Sequence, residues 1–273
     1  MAVPLFHVDA FASAPFTGNP AAVCLLEAPA EDAWMQGVAA EMNLAETAFV
    51  RPLDDGPLGD VWELRWFTPT TEVELCGHAT LASAHVLWET DRLGPAAPAR
   101  FETRFRGTLT ATRALDGQGI DLDFPADRPA PAPLPDGMST ALGVAPALTS
   151  RARVGFVVEV ETPQAVRAVQ PDFARLGELE SVVVTSAAAA HEDHDFVSRY
   201  FASRYGIDED PVTGAAHCAL APYWAERFGR DEMRGYQASA RGGTVAVRVR
   251  GDRVVLGGRA ITVARGELVV PTV

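Results

Sequence analysis

Apolar and polar positions alternate over residues 62–67, with Trp62, Leu64 and Trp66 facing one way and Glu63 and Arg65 the other. That two-residue period predicts a half-buried strand. Residues 31–42 instead carry Trp34, Val38 and Met42 at helical spacing, and predict an amphipathic helix. Short apolar runs bounded by turn residues predict strands over 3–11, 20–26, 47–50 and 73–75, with Thr17-Gly18-Asn19-Pro20 turning between the first two. Strands over 101–104, 108–112 and 120–124 follow, punctuated by Gly107 and by Asp116-Gly117. In the second half, a helix near 138–143 precedes strands near 153–160, 181–185 and 195–201, and further strands fall near 233–240, 244–250 and 253–257. Strands and helices do not alternate cleanly enough for a doubly wound parallel sheet. The order predicts an α+β fold with mixed and antiparallel sheets, each packed on its own helix.

One pattern occurs twice. Leu75-Cys76-Gly77-His78-Ala79-Thr80 and Val212-Thr213-Gly214-Ala215-Ala216-His217 each open an alanine-rich helix at a glycine turn. Aligned without a gap at an offset of 137, Gly77 falls on Gly214, Ala79 on Ala216, Ala82 on Ala219, Ala84 on Ala221 and Glu89 on Glu226. This predicts two related halves with two helix N-termini on a shared cleft. Helix N-termini present unpaired N–H groups and a positive dipole end, so such a cleft suits a carboxylate. Residues 125–137 carry five prolines and mark the lobe boundary, giving an N-terminal lobe over 1–124 and a C-terminal lobe over 125–263.

Composition narrows the chemistry. The 273 residues carry a net charge of −13, which argues against nucleic acid and anionic membrane as partners. All 23 basic residues are arginine; without lysine there is no Schiff base, lysine general base or Walker-type phosphate loop. No GxGxxG fingerprint follows a strand, so no nucleotide cofactor is expected. The N-terminus does not read as a secretory signal, no apolar run approaches a membrane span, and Cys24, Cys76 and Cys218 form no CxxC pair. A cytoplasmic protein with no metal and no cofactor is expected.

Three residues stand out as candidates. Glu46 directly precedes an apolar strand, where an acid is costly unless a site needs it; the alternative is a surface carboxylate. His78 lies in the first turn of a helix, where the dipole favours a neutral ring; the alternative is a satisfied core histidine. Asp210 precedes Pro211 and the second glycine turn, and could equally cap that helix. Arg65 and Arg241 offer to pair with a substrate carboxylate or with structural acids. The cluster His191-Glu192-Asp193-His194-Asp195 lacks the spacing of a zinc site and reads as a solvated turn.

Phe11–Val23, Asn43–Phe49, Arg65-Trp66-Phe67-Thr68-Pro69 leading to Cys76-Gly77-His78-Ala79-Thr80, and Glu209-Asp210-Pro211-Val212-Thr213-Gly214 together resemble the phenazine-biosynthesis PhzF-like family. Gln237, Ser239 and Arg241-Gly242-Gly243 extend the match, which spans nearly the whole chain. The resemblance implies a diaminopimelate-epimerase-like fold of two pseudo-symmetric lobes, each a sheet wrapped around a central helix, with residues 264–273 returning to the first lobe. It also implies a homodimer and a cofactor-free isomerase of the kind that acts on a cyclic dihydro-hydroxyanthranilate. By the same resemblance Glu46 moves the proton, with His78 and Asp210 supporting it, and Asn19, Gly77, Gly214 and Ala215 line the substrate site. Ala215 stands where the family often has serine, which puts the phenazine substrate in doubt. Related epimerases use a thiol at each glycine turn. Cys76 matches the first, as a possible second base or a small packing residue, but Thr213 replaces the second. A racemase or a non-catalytic metabolite-binding protein therefore remain as alternatives.

Overall fold

The computed structural model describes residues 2–53, 61–114, 117 and 119–270. The turn expected at Asp116 and the last residues of the segment expected to return to the first lobe, 271–273, lie outside them. Two compact units are present: residues 1–123 with 257–273, and residues 124–256.

The first unit opens with β1 (Val3–Ala10) and β2 (Asn19–Leu25), followed by α1 (Asp32–Met42), β3 (Glu46–Pro52), β4 (Val61–Phe67) and β5 (Glu72–Val73). Then come α2 (Gly77–Glu89), β6 (Ala99–Thr103), β7 (Gly107–Arg113) and β8 (Ile120–Pro125), within which the chain leaves the unit. β1 and β2 are antiparallel, β2 and β3 parallel, and β3 and β4 antiparallel. On its other edge β4 pairs antiparallel with β5 and parallel with β6, which continues antiparallel into β7.

In the second unit lie β9 (Ala130–Pro131), α3 (Met138–Leu142), β10 (Leu148–Ala152), β11 (Gly155–Glu159), α4 (Pro163–Ala168), α5 (Phe173–Leu176), β12 (Val182–Ala187) and β13 (Phe196–Ala202). A short 3₁₀ turn leads to β14 (Ile207–Asp210), α6 (Gly214–Phe228), β15 (Glu232–Gln237), β16 (Gly243–Arg250) and β17 (Arg253–Gly258). The ladder repeats that of the first unit. β10 and β11 are antiparallel, β11 and β12 parallel, β12 and β13 antiparallel, and β13 pairs antiparallel with β14 and parallel with β15. The last strand, β18 (Ala260–Leu268), pairs antiparallel with β1. This is the α+β, pseudo-symmetric architecture that the resemblance implies. The matching helices, α2 and α6, occupy the same place in each ladder.

Both helices are core elements. Every residue of α2 from His78 to Ala84 is buried, and a helix apolar all round belongs inside a fold. Its two hydroxyls are satisfied within the helix: Thr80 Oγ1 donates to the Cys76 carbonyl at 2.6 Å, and Ser83 Oγ to that of Ala79 at 2.7 Å. α6 carries Pro222 in its interior. Proline has no N–H for the Cys218 carbonyl, and the Asp127 N–H takes that acceptor instead, at 3.1 Å.

α1 differs from the spacing-based expectation. Its buried residues are Met35, Val38 and Ala39, while Trp34 and Met42 are only partly covered. Trp34 lies at the flank of that face, edge-on to Phe49 at 5.9 Å.

Candidate active site

The loop between β1 and β2 delivers the first site residue. Gly18 has φ +71, and a Cβ there would lie 2.2 Å from the Ala10 carbonyl oxygen, so only glycine fits this turn. The Asp9 carboxylate accepts the Phe16 N–H at 2.7 Å, which holds Phe16 in its own left-handed conformation. The chain then enters β2 at Asn19, which is fully buried. Glu46 is the first residue of β3, and because β2 and β3 run parallel it pairs with Ala21, two residues beyond Asn19. Cys76, extended at φ −141, is the N-cap residue of α2, and His78 sits in the first turn.

These four side chains meet. Asn19 Nδ2 lies 3.2 Å from His78 Nδ1, Cys76 Sγ lies 3.4 Å from the same nitrogen, and His78 Nε2 lies 3.2 Å from Glu46 Oε2. The amide NH₂ can only donate, so Nδ1 is the acceptor and the ring proton is assigned to Nε2, beside the carboxylate. That N–H approaches Glu46 Oε2 without hydrogen-bond alignment. Burial pushes the His78 pKa down to about 3, so the ring is neutral at physiological pH. The Glu46 side chain is 14 % exposed, which sets aside the surface-carboxylate alternative. The Cys76 side chain does not cap α2, and the N–H groups of the first turn have no intrahelical acceptor, an arrangement that suits an anion.

Asp210, Gly214 and Ala215 belong to the second unit. The N-cap residue of α6 is Thr213, whose own side chain makes no cap bond into the helix. Instead Asp210 Oδ2 accepts the Thr213 hydroxyl. The residue that organises this turn is Gln237, fully buried at the end of β15. Its Oε1 accepts the Thr213 N–H at 2.9 Å, and its Nε2 donates to the Asp210 carbonyl at 2.7 Å and to Thr213 Oγ1 at 3.1 Å. Ala215, where the family often has serine, is exposed.

Two sequence candidates resolve structurally. Arg65 makes a two-pronged pair with Glu72, both bonds at 2.8 Å, and reaches Asp32 at 2.7 Å; these partners raise its pKa and leave it no role as a substrate clamp. Arg65 and Asp32 line a cavity of about 350 Å³ with Glu63, Glu102 and Arg104. The 191–195 segment is a tied turn: Glu192 accepts the Ala189 N–H and pairs with Arg167, His194 stacks on Tyr236 at 5.1 Å, and Asp195 accepts the Arg234 N–H. Among the described residues, the group of histidine, cysteine and carboxylate donors gathered closely enough to hold a metal is Glu46, Cys76 and His78.

Residues 8–266 match the family model described as phenazine biosynthesis-like protein. The chain is 45 % identical over 273 residues to a protein of Halalkalibacterium halodurans named as an uncharacterized isomerase, covering 99 % of this chain and all of that one. It is 47 % identical over 271 residues to another protein so named from Pseudomonas aeruginosa, covering 98 % of this chain and 99 % of that one. A crystal structure of a phenazine biosynthesis protein of the PhzF family from Enterococcus faecalis superposes with a TM-score of 0.90 at 38 % identity, covering 99 % of this chain and all of that one. No helix among the described residues is long and apolar enough to cross a membrane.

Proposed function

Since this chain belongs to the phenazine biosynthesis-like family and is an isomerase, we propose that it moves a proton within a small carboxylated metabolite, without a cofactor and with Glu46 as the acid–base group. The observation that carries this reading is the Glu46 carboxylate, largely buried at the start of β3 and 3.2 Å from a neutral His78. A neutral donor beside the carboxylate stabilises its charge without forming a full ion pair, so the group can accept a proton and return it. Asn19 fixes the tautomer that makes this possible. One carboxylate suffices for a shift on a single face of the substrate, whereas inversion needs a base on each face.

The substrate carboxylate would rest on N–H groups of a first helical turn, Gly77 for α2 and Gly214 with Ala215 for α6, since the N-cap residues Cys76 and Thr213 do not bond into their helices with their own side chains. Asp210 supports the reaction from its turn. The missing hydroxyl at Ala215 favours a substrate other than the phenazine precursor. A homodimer in the cytoplasm is part of the same proposal, and light scattering in solution tests the assembly.

One observation favours a second reading, a racemase or epimerase: Cys76 Sγ lies 3.4 Å from His78 Nδ1, within reach of a base for its thiol. Cyclic and amino-acid-derived acids incubated with the enzyme in deuterated water separate the two. Deuterium at a carbon other than the one that lost its proton supports the isomerisation. Exchange at a stereocentre with inversion there replaces it with the racemase.

A further inference from the structure

We propose that Glu46, Cys76 and His78 form a binding site for a thiophilic divalent cation of the zinc class, and that metal bound there silences the enzyme. The two claims separate: binding follows from the donor set, while silencing rests on the role proposed above for Glu46.

The three residues offer one donor atom each, all within 4.8 Å of one another. His78 Nε2 is 3.2 Å from Glu46 Oε2 and 3.9 Å from Cys76 Sγ. Zinc–ligand bonds of about 2.0–2.3 Å in a tetrahedron place neighbouring donors roughly 3.3–3.6 Å apart. The observed spacings are thus near those of a bound ion before any side chain moves. The thiolate–carboxylate edge closes by rotation about side-chain torsions.

Charge points the same way. Cys76 and His78 are buried and Glu46 nearly so, and an uncompensated ion in such a place is costly. A thiolate, a carboxylate and a neutral imidazole together cancel a divalent cation. The sulfur and imidazole donors select zinc, cobalt(II) or cadmium over magnesium and calcium, which prefer oxygen. Three protein ligands leave the fourth position to water or to an incoming carboxylate, unlike a closed structural site; silencing would come from the metal occupying the Glu46 carboxylate, which then cannot accept a proton.

The protons balance. Metal on Nε2 requires the ring proton to move to Nδ1, and half a turn of the Asn19 amide then presents Oδ1 as its acceptor in place of the Nδ2 now 3.2 Å away. Asn19 thereby becomes the outer partner that orients the ligating histidine. The imidazole loses no net proton, Glu46 binds as the carboxylate that its proposed role as proton acceptor requires, and the thiol releases its proton. Each bound ion thus frees one proton, taken up by buffer.

The test uses Co²⁺ and Zn²⁺ alone with the purified chain. Titration with Co²⁺ is expected to give equimolar binding and near-ultraviolet thiolate-to-cobalt charge-transfer absorption, and calorimetry in two buffers to report one proton released per ion. Cys76→Ala is expected to abolish the absorption and weaken binding at least ~100-fold, beyond the 10–100-fold that loss of an outer partner costs. Cys76→Ser, closest in size to the native thiol, repeats the test should the alanine variant not fold. Absorption that persists in a folded Cys76 variant, or its absence from the native chain at saturating cobalt, overturns the proposal. Zinc that binds at Cys76 yet leaves deuterium incorporation unchanged supports the site and counts instead against Glu46 as the acid–base group.

Discussion

Lowering the pH from 7 to 5 should destabilise this protein through two buried histidines. His78 is held down to about 3 by burial. His217 in α6 is fully buried with its Nδ1 at 2.9 Å from the Thr213 carbonyl, and burial holds it down to about 4 against that hydrogen bond. In the unfolded chain each titrates near 6.5. The folded values lie below the unfolded ones, so between them the unfolded state binds more protons. The contribution to stability is therefore intact above about pH 6.5 and shrinks as pH falls toward 4 and 3. At pH 5 the solution lies about 1.5 units below the pKa of the unfolded histidines, which costs about 2 kcal/mol each and about 4 kcal/mol together. That is a large share of the roughly 5–15 kcal/mol that stabilises a typical domain. Urea denaturation at pH 7 and pH 5 measures the loss directly. His217→Asn keeps a donor for the Thr213 carbonyl and should remove about half of the pH-dependent part. Equal stability at the two pH values, or an imidazole resonance of His78 titrating near 6.5, would refute the reasoning.

Other perturbations test the parts that hold the site. Gly18→Ala places a methyl on the Ala10 carbonyl in a left-handed turn and should cost at least about 2 kcal/mol by denaturation, while displacing Asn19 and lowering activity. Gln237→Leu removes the partners of the Thr213 N–H and the Asp210 carbonyl, both in the turn before α6; at about 1–3 kcal/mol per buried group left unsatisfied, stability should fall by roughly 2–6 kcal/mol in urea denaturation. Ala215→Ser places a hydroxyl at an exposed position and should leave stability within about 0.5 kcal/mol while changing which acids exchange deuterium.

The sequence was most readable where periodicity and turn chemistry agreed. The alternation of Trp62, Leu64 and Trp66 marks β4, and all three are buried. The glycine turns mark the starts of α2 and α6. Elements without such contrast were not legible. β10 (Leu148–Ala152) mixes an exposed leucine with Thr149 and Arg151, and β18 (Ala260–Leu268) is mostly exposed, so neither has the alternation of a half-buried strand. β14 (Ile207–Asp210) is largely charged and owes its conformation to pairing with β13. In the candidate site, motif matching singled out Glu46, Cys76 and His78, but the chemistry of His78 depends on Asn19, 59 residues away, whose donation to Nδ1 no local pattern announces. Gln237 belonged to the matched motifs, yet its hold on the Asp210 turn depends on a strand 27 residues later in the chain. Arg65 has the chemistry of a carboxylate clamp, but Glu72, seven residues away, and Asp32, 33 residues away, occupy it.

Deuterium incorporation by the Glu46→Gln variant is the most direct test of the proposed proton transfer. The substitution keeps the side chain's shape at the start of β3 and removes the group that carries the proton. With an acid that the native enzyme isomerises in deuterated water, incorporation should fall at least ~100-fold, since a positioned acid–base group contributes roughly 10²–10⁴-fold, and urea stability should be nearly unchanged. Cys76→Ala should retain most of the native rate. If Glu46→Gln incorporates deuterium at close to the native rate while Cys76→Ala does not, the proton is carried by the thiol and the role given to Glu46 is wrong.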